Sequence, residues 1–122
     1  MLRVLLVEDS RVLAERLREA LDTIEGVEVI ASVADEASAV AAAREHDVDV
    51  IILDLQLRQG TGFGVVQQLG DERPVIVVFT NYSLPEYQRR ADDLGIEYFL
   101  NKSLDYERLP LLIQELERRQ QA

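Results

Sequence analysis

Five short runs of aliphatic and β-branched residues recur along this chain, and no other feature restricts its fold so strongly. They are LRVLLV (2–7), VEVIASV (27–33), VDVIILDL (48–55), PVIVVFT (74–80) and EYFL (97–100). None alternates cleanly between apolar and polar residues, as a strand with one wet face would. Such runs read as strands buried on both faces of a parallel sheet. Helical patterns separate them. From Ser10 to about Ile24, residues Leu13, Leu17, Ala20, Leu21 and Ile24 fall on one stripe. An alanine-rich segment follows from Asp35 to about Glu45. A weaker pattern runs from Gly62 to Leu69, where Gly62 and Gly64 disfavour helix. A fourth helix is expected to start at a capping box, Ser83 with Glu86, and to stop before Gly95. The last places Leu109, Leu112, Ile113 and Leu116 on one face. Pro110 cannot lie deep inside it, so regular helix is expected to begin between Glu107 and Pro110. The closing RRQQA reads as a fraying end. The order is (βα)5, an α/β chain whose sheet lies between two helical layers.

At 122 residues the chain fits one domain, and no stretch resembles a linker or a repeat. Its formal net charge of −10 opposes direct nucleic-acid binding, which needs a basic footprint, and opposes an anionic membrane surface. No apolar run reaches the ~20 residues of a membrane span, the N-terminal run is too short for a signal peptide, and there is no cysteine. A cytoplasmic location without membrane insertion is the expectation.

The polar residues that close the strands carry the chemistry. The first run ends in Glu8–Asp9, the third at Asp54, the fourth at Thr80 followed by Asn81, and the fifth in Asn101–Lys102. Lys102 is the only lysine among 13 basic residues. Ligands of open α/β sheets bind outside the carboxyl ends of the strands, so these residues should share one edge. Three acids placed together repel, and a divalent cation relieves that repulsion. Hard oxygen ligands suit Mg²⁺, with Mn²⁺ as a substitute. A point-charge Lys and a Thr hydroxyl beside the metal suit a phosphate group. Taken singly, Glu8–Asp9 fit a helix start, Thr80 an ordinary strand residue and Lys102 a surface residue. Their joint placement at four strand ends is the specific signal. The lone histidine, His46, falls at the opposite edge and reads as a solvated loop residue. The segment ERLPLLIQELERR reads as a solvated helix face with ion pairs.

Glu8–Asp9, Asp54 in IILDLQLRQGTG, Thr80 in VVFTNY and Lys102 in YFLNKS, in this order, closely resemble the receiver domain of bacterial two-component response regulators. The resemblance covers essentially the whole chain. It implies a doubly wound parallel sheet of flavodoxin-like order 2-1-3-4-5, and residues 1–122 as a single receiver domain with no output domain. It implies that Asp54 accepts a phosphoryl group from a sensor histidine kinase or phosphotransfer protein. Asp9, Glu8, Asp54 and the backbone carbonyl of Gln56 would hold the Mg²⁺, with Glu8 acting through water. Lys102 and Thr80 would bind the phosphoryl group, and Phe99 would act as the switch. Gln56 and Tyr82 occupy positions that tune hydrolysis of the acyl phosphate. A surface of the fourth helix, fifth strand and fifth helix would then present itself to a downstream protein target, and weak homodimerisation is compatible with the class.

The chain departs from the family pattern at three places. Ser103 stands where proline is common after the lysine. A cis bond before a non-proline costs about 2.5–4 kcal/mol, so no cis peptide is expected there and the loop should be reshaped. Phe99, beside Tyr98, replaces a frequent Tyr and lacks its hydroxyl. Asn81 replaces a small residue and should narrow access. A phosphatase or phosphotransferase of the haloacid-dehalogenase type is opposed by Gln56, which stands where that class needs a second Asp as general acid. A flavodoxin-like electron carrier is opposed by the acidic EDSRVL loop, which would repel a flavin phosphate. Catalysis is thus expected only on the protein's own phosphorylation and dephosphorylation. The alternative is a degenerate receiver, a protein-interaction module that works without phosphorylation.

Overall fold

The computed structural model describes residues Met1–Ala122. All five expected strands form: β1 Leu2–Val7, β2 Val27–Val33, β3 Val50–Leu53, β4 Val75–Thr80 and β5 Tyr98–Asn101. They alternate with α1 Arg11–Asp22, α2 Glu36–Glu45, α3 Gly62–Leu69, α4 Pro85–Asp93 and α5 Arg108–Gln121. The strands pair in parallel in the order β2-β1-β3-β4-β5. This is the expected doubly wound arrangement.

The absence of alternation has the anticipated cause. Every residue of β3 is buried, and β1 and β4 are buried at all but one position each. Leu5 and Leu6 are neighbours in sequence and both fully buried, yet they enter different cores because successive strand side chains point to opposite faces. Leu6 packs with Leu17 and Leu21 of α1 and with Leu109 and Ile113 of α5. Leu5 packs with residues of α2, α3 and α4, among them Val40, Val66 and Ala91. The edge strands β2 and β5 are less buried and carry the half-wet positions.

Three expectations about boundaries are corrected. The third strand spans only Val50–Leu53 of the run 48–55. On its near side the Asp49 carboxylate takes the Arg3 N–H at 2.8 Å, and on its far side Gln56 turns to bridge Thr61. The fourth helix is not capped by Ser83. Pro85 occupies its first turn, which forces Leu84 into an extended conformation (φ −62°, ψ 149°) and makes Leu84 the cap residue, with no side-chain bond. The Ser83 hydroxyl instead accepts from Asn101 Nδ2 at 2.9 Å. The last helix starts at Arg108, with Pro110 in its first turn as expected, but it continues through Gln121, so RRQQA is helical except for Ala122. The ion pairs foreseen on that helix are present between Arg118 and Glu115 and between Arg119 and Glu115.

Candidate functional site

The sheet ladder itself places the site. Glu8 N donates to Val33 O at 2.9 Å, Asp54 N to Val7 O at 3.0 Å, and Lys102 N to Thr80 O at 2.9 Å. Each acceptor is the last residue of the neighbouring strand, so the ladder runs one bond beyond the regular strands and then releases the chain. Glu8, Asp54, Thr80 and Lys102 therefore meet at the carboxyl edge of the sheet. The acids lie across β1 and β3, the adjacent pair from which the connections lead to opposite sides.

There the side chains engage. Lys102 Nζ lies 2.7 Å from Asp54 Oδ2 and 2.5 Å from Glu8 Oε1, with 13% of the lysine side chain exposed. Glu8 Oε2 accepts from Ser10 N at 2.9 Å, and Ser10 Oγ in turn caps α1 by accepting from Leu13 N at 3.3 Å. The start of α1 thus holds the acid that precedes it. Carboxylate oxygens of Glu8, Asp9 and Asp54 lie within 4.8 Å of one another. Glu8 and Asp54 are buried, while Asp9 is half-buried. Burial pushes the Glu8 carboxyl above the usual carboxylate range, against the pull of the Lys102 ammonium. Burial alone would lower the Lys102 pKa, but its hydrogen bonds to Asp54 and Glu8 outweigh that and raise it, so the lysine is firmly charged. One ammonium among three carboxylates leaves a net negative oxygen-only site. Its donor set fits a hard divalent cation such as Mg²⁺ and contains no nitrogen or sulfur ligand that would favour a softer metal.

The remaining expected residues surround this centre. Thr80 is fully buried, and its hydroxyl accepts from Tyr82 N at 3.2 Å. Tyr82 is partly exposed and meets Tyr87 edge-on with ring centroids 5.9 Å apart. Gln56 and Tyr82 line a common groove with Thr61, Tyr87 and Arg90. Gln56 N points at Asp54 Oδ1 over a long 3.4 Å. Phe99 is half-buried against the α2–α3–α4 core, whereas its neighbour Tyr98 packs on the α1–α5 side and accepts from Arg119 Nη1 at 3.0 Å. Asn81 Oδ1 stands 3.5 Å from Ser103 Oγ. His46 is exposed at the end of α2, on the edge away from the site. The backbone contains no cis peptide bond.

Two supporting residues escaped the sequence reading. Glu36, in the first turn of α2, reaches the loop after Asp54, where its Oε1 accepts from Thr61 N at 2.9 Å and its Oε2 from Gln68 Nε2 at 2.5 Å. In the sequence it looks only like an acid at a helix N-terminus. Gly62 was read as a weak helix residue. A Cβ at that position would lie 2.3 Å from the Asp54 carbonyl oxygen, so the start of α3 presses directly against the backbone of Asp54.

The comparisons agree with this geometry. The response regulator receiver domain is matched over residues 4–114, and the chain belongs to that family. It is 34% identical over 119 residues to an uncharacterized response regulatory protein of Yersinia pestis, covering 97% of this chain and 49% of that protein. The chain spans about half the length of the curated relatives it matches first. Among solved structures it is similar to the REC domain of AraT, a response regulator from Geobacillus stearothermophilus (26% identity, TM-score 0.84, 99% of this chain and 97% of that one). It also shares the fold of the response regulator domain of Thermotoga maritima CheB (21% identity, TM-score 0.83, 98% and 95% coverage). Receiver domains of two-component systems hold Mg²⁺ through acidic residues and meet histidine kinases or phosphotransfer proteins. The cluster of Glu8, Asp9 and Asp54 is of the required kind. No helix is long and apolar enough to cross a membrane.

Proposed function

We propose that this chain is a phospho-accepting receiver in which Asp54 takes a phosphoryl group from a partner histidine kinase or phosphotransfer protein. The reading rests on one observation: a buried Asp54 carboxylate joined to the only lysine at 2.7 Å, with two further carboxylates within 4.8 Å. An Asp54 oxygen attacks phosphorus, the P–N bond to the donor imidazole breaks, and the imidazole leaves with the electron pair and takes up a proton. Glu8, Asp9, Asp54 and the Gln56 carbonyl would hold Mg²⁺, which when bound neutralises charge on the transferring group. Lys102 stands ready to pair with the phosphoryl oxygens because it already pairs with their acceptor. Thr80, whose hydroxyl holds only the Tyr82 amide, turns to donate to the phosphoryl group, and Phe99 follows by moving further into the core. The face formed by α4, β5 and α5 changes as a result and addresses a downstream protein target. Gln56 and Tyr82 border the path by which water reaches the acyl phosphate. Residues 1–122 act in this reading as one receiver unit that catalyses only its own phosphorylation and dephosphorylation, in the cytoplasm and without contacting nucleic acid.

Incubation with Mg²⁺ and acetyl phosphate followed by intact mass tests the reading. One added phosphoryl group is expected, absent after chelation and absent from Asp54→Asn. Failure of the wild type to gain mass or to bind beryllofluoride would favour a receiver that binds partners without phosphorylation.

A further inference from the structure

The loop that carries Lys102 is built around one side chain. Asn101 closes β5, and its Oδ1 accepts from two successive amides, Ser103 N at 2.8 Å and Leu104 N at 3.0 Å. Its Nδ2 donates to Ser83 Oγ at 2.9 Å, in the segment that leads into α4. Its backbone N–H donates to Asp105 Oδ2 at 2.9 Å, and its carbonyl accepts from Asp105 N at 2.8 Å. Every polar atom of Asn101 is engaged, and four of the five bonds go to the three residues that follow Lys102.

Lys102 thus lies between Asn101 and those partners. A lysine is a point charge on a flexible stem, with about 2 kcal/mol of rotamer entropy to lose when it is fixed. Its ammonium reaches a defined acceptor reliably only if its own backbone is held. Lys102 N is anchored to Thr80 O on one side, and the turn at Ser103–Leu104 is anchored by Asn101 Oδ1 on the other. The arrangement requires an N–H at position 103, which Ser103 supplies and a proline would not.

We propose that Asn101 is a positioning residue: its carboxamide oxygen holds the Ser103–Leu104 turn so that Lys102 Nζ meets Asp54, and its carboxamide nitrogen ties that turn to the start of α4. The kinetic consequence rests on the phosphoacceptor role of Asp54; the structural one does not. An aspartate at 101 keeps the acceptor oxygen, and an alanine removes it.

The test compares wild type with Asn101→Ala and Asn101→Asp, with thermal midpoints to verify folding. In metal-free protein, amide exchange at Ser103 and Leu104 is expected to quicken in the Ala variant and to remain slow in the Asp variant. With saturating Mg²⁺ and acetyl phosphate, the Ala variant should phosphorylate about tenfold more slowly, the scale of a small misplacement of a reacting group. Its Mg²⁺ affinity should not fall, because a looser ammonium competes less for the Glu8 and Asp54 carboxylates, and the Asp variant should recover most of the rate. An Ala variant with wild-type exchange and rate overturns the proposal, as does an Asp variant as impaired as Ala in both. If the wild type accepts no phosphoryl group, the phosphoacceptor reading fails. The exchange data alone then decide: lost protection in the Ala variant supports the anchoring role, and unaltered protection overturns it.

Discussion

Lys102 and Asp54 are joined directly, Nζ to Oδ2 at 2.7 Å, and the same ammonium reaches Glu8. The lysine therefore occupies the negative field that a metal would also use. Lys102→Met should bind Mg²⁺ more tightly, by roughly tenfold, because a unit charge about 5 Å from a divalent ion repels it by more than 1 kcal/mol even in water. The same variant should accept phosphate from acetyl phosphate on the order of a hundredfold more slowly, having lost a preorganised charge at the transferring group. Metal titration and phosphorylation kinetics on one preparation check both directions. Weaker metal binding in the variant would contradict the competition.

Gly62 tests how closely α3 supports Asp54, the proposed phosphoryl acceptor. Gly62→Ala puts a methyl group 2.3 Å from the Asp54 carbonyl oxygen, backbone against which nothing flexible can yield. Overpacking of this kind costs about 1–3 kcal/mol, visible as a lower urea midpoint. Phosphorylation should slow as well, since the backbone that must move carries Asp54.

Glu36 tests the second support. Glu36→Ala removes acceptors for Thr61 N and Gln68 Nε2 and frees the loop that follows Asp54. The expected loss is roughly 1–2 kcal/mol, as for charge-assisted bonds at a partly wet site. Glu36→Gln, which keeps one carbonyl acceptor, should recover part of it in the same denaturation series.

Asp35 supplies a pH dependence. Its carboxylate caps α2 by accepting from Ser38 N at 2.7 Å, and that bond holds its pKa below the ordinary Asp range. A depressed folded pKa means that the unfolded chain takes up the proton first. The stabilisation is thus present above about pH 4 and is lost as pH falls through the folded value. Asp35→Asn keeps a capping oxygen but cannot titrate. Urea midpoints should favour wild type at neutral pH and converge below about pH 4; a gap that persists in acid would refute the linkage.

Strand number, strand burial and the edge that gathers the polar residues were all legible in the sequence. Runs such as VIIL need no tertiary information to be recognised as buried on both faces, and Glu8 and Asp54 each directly follow such a run. Boundaries were less legible where two local signals competed. Ser83 with Glu86 fits a capping box, but Pro85 fixes the start of the helix one residue later. Glu36, Gly62 and the bonding of Asn101 were not legible as supports. Each acts through a contact to a segment brought close only by folding: Glu36 to Thr61, Gly62 to the carbonyl of Asp54, Asn101 to Ser83. Residue type alone gives no sign of such a partner.

The solitary lysine also leaves the protein with an unusual chemical handle. Apart from the amine of the exposed Met1, Lys102 is the only primary amine in the chain, and it is both shielded and held in its protonated, non-nucleophilic form. Amine-directed reagents should therefore modify the folded protein at one end only. A second adduct would report that the ammonium had left its carboxylates, which makes acylation a footprint of the site's internal state.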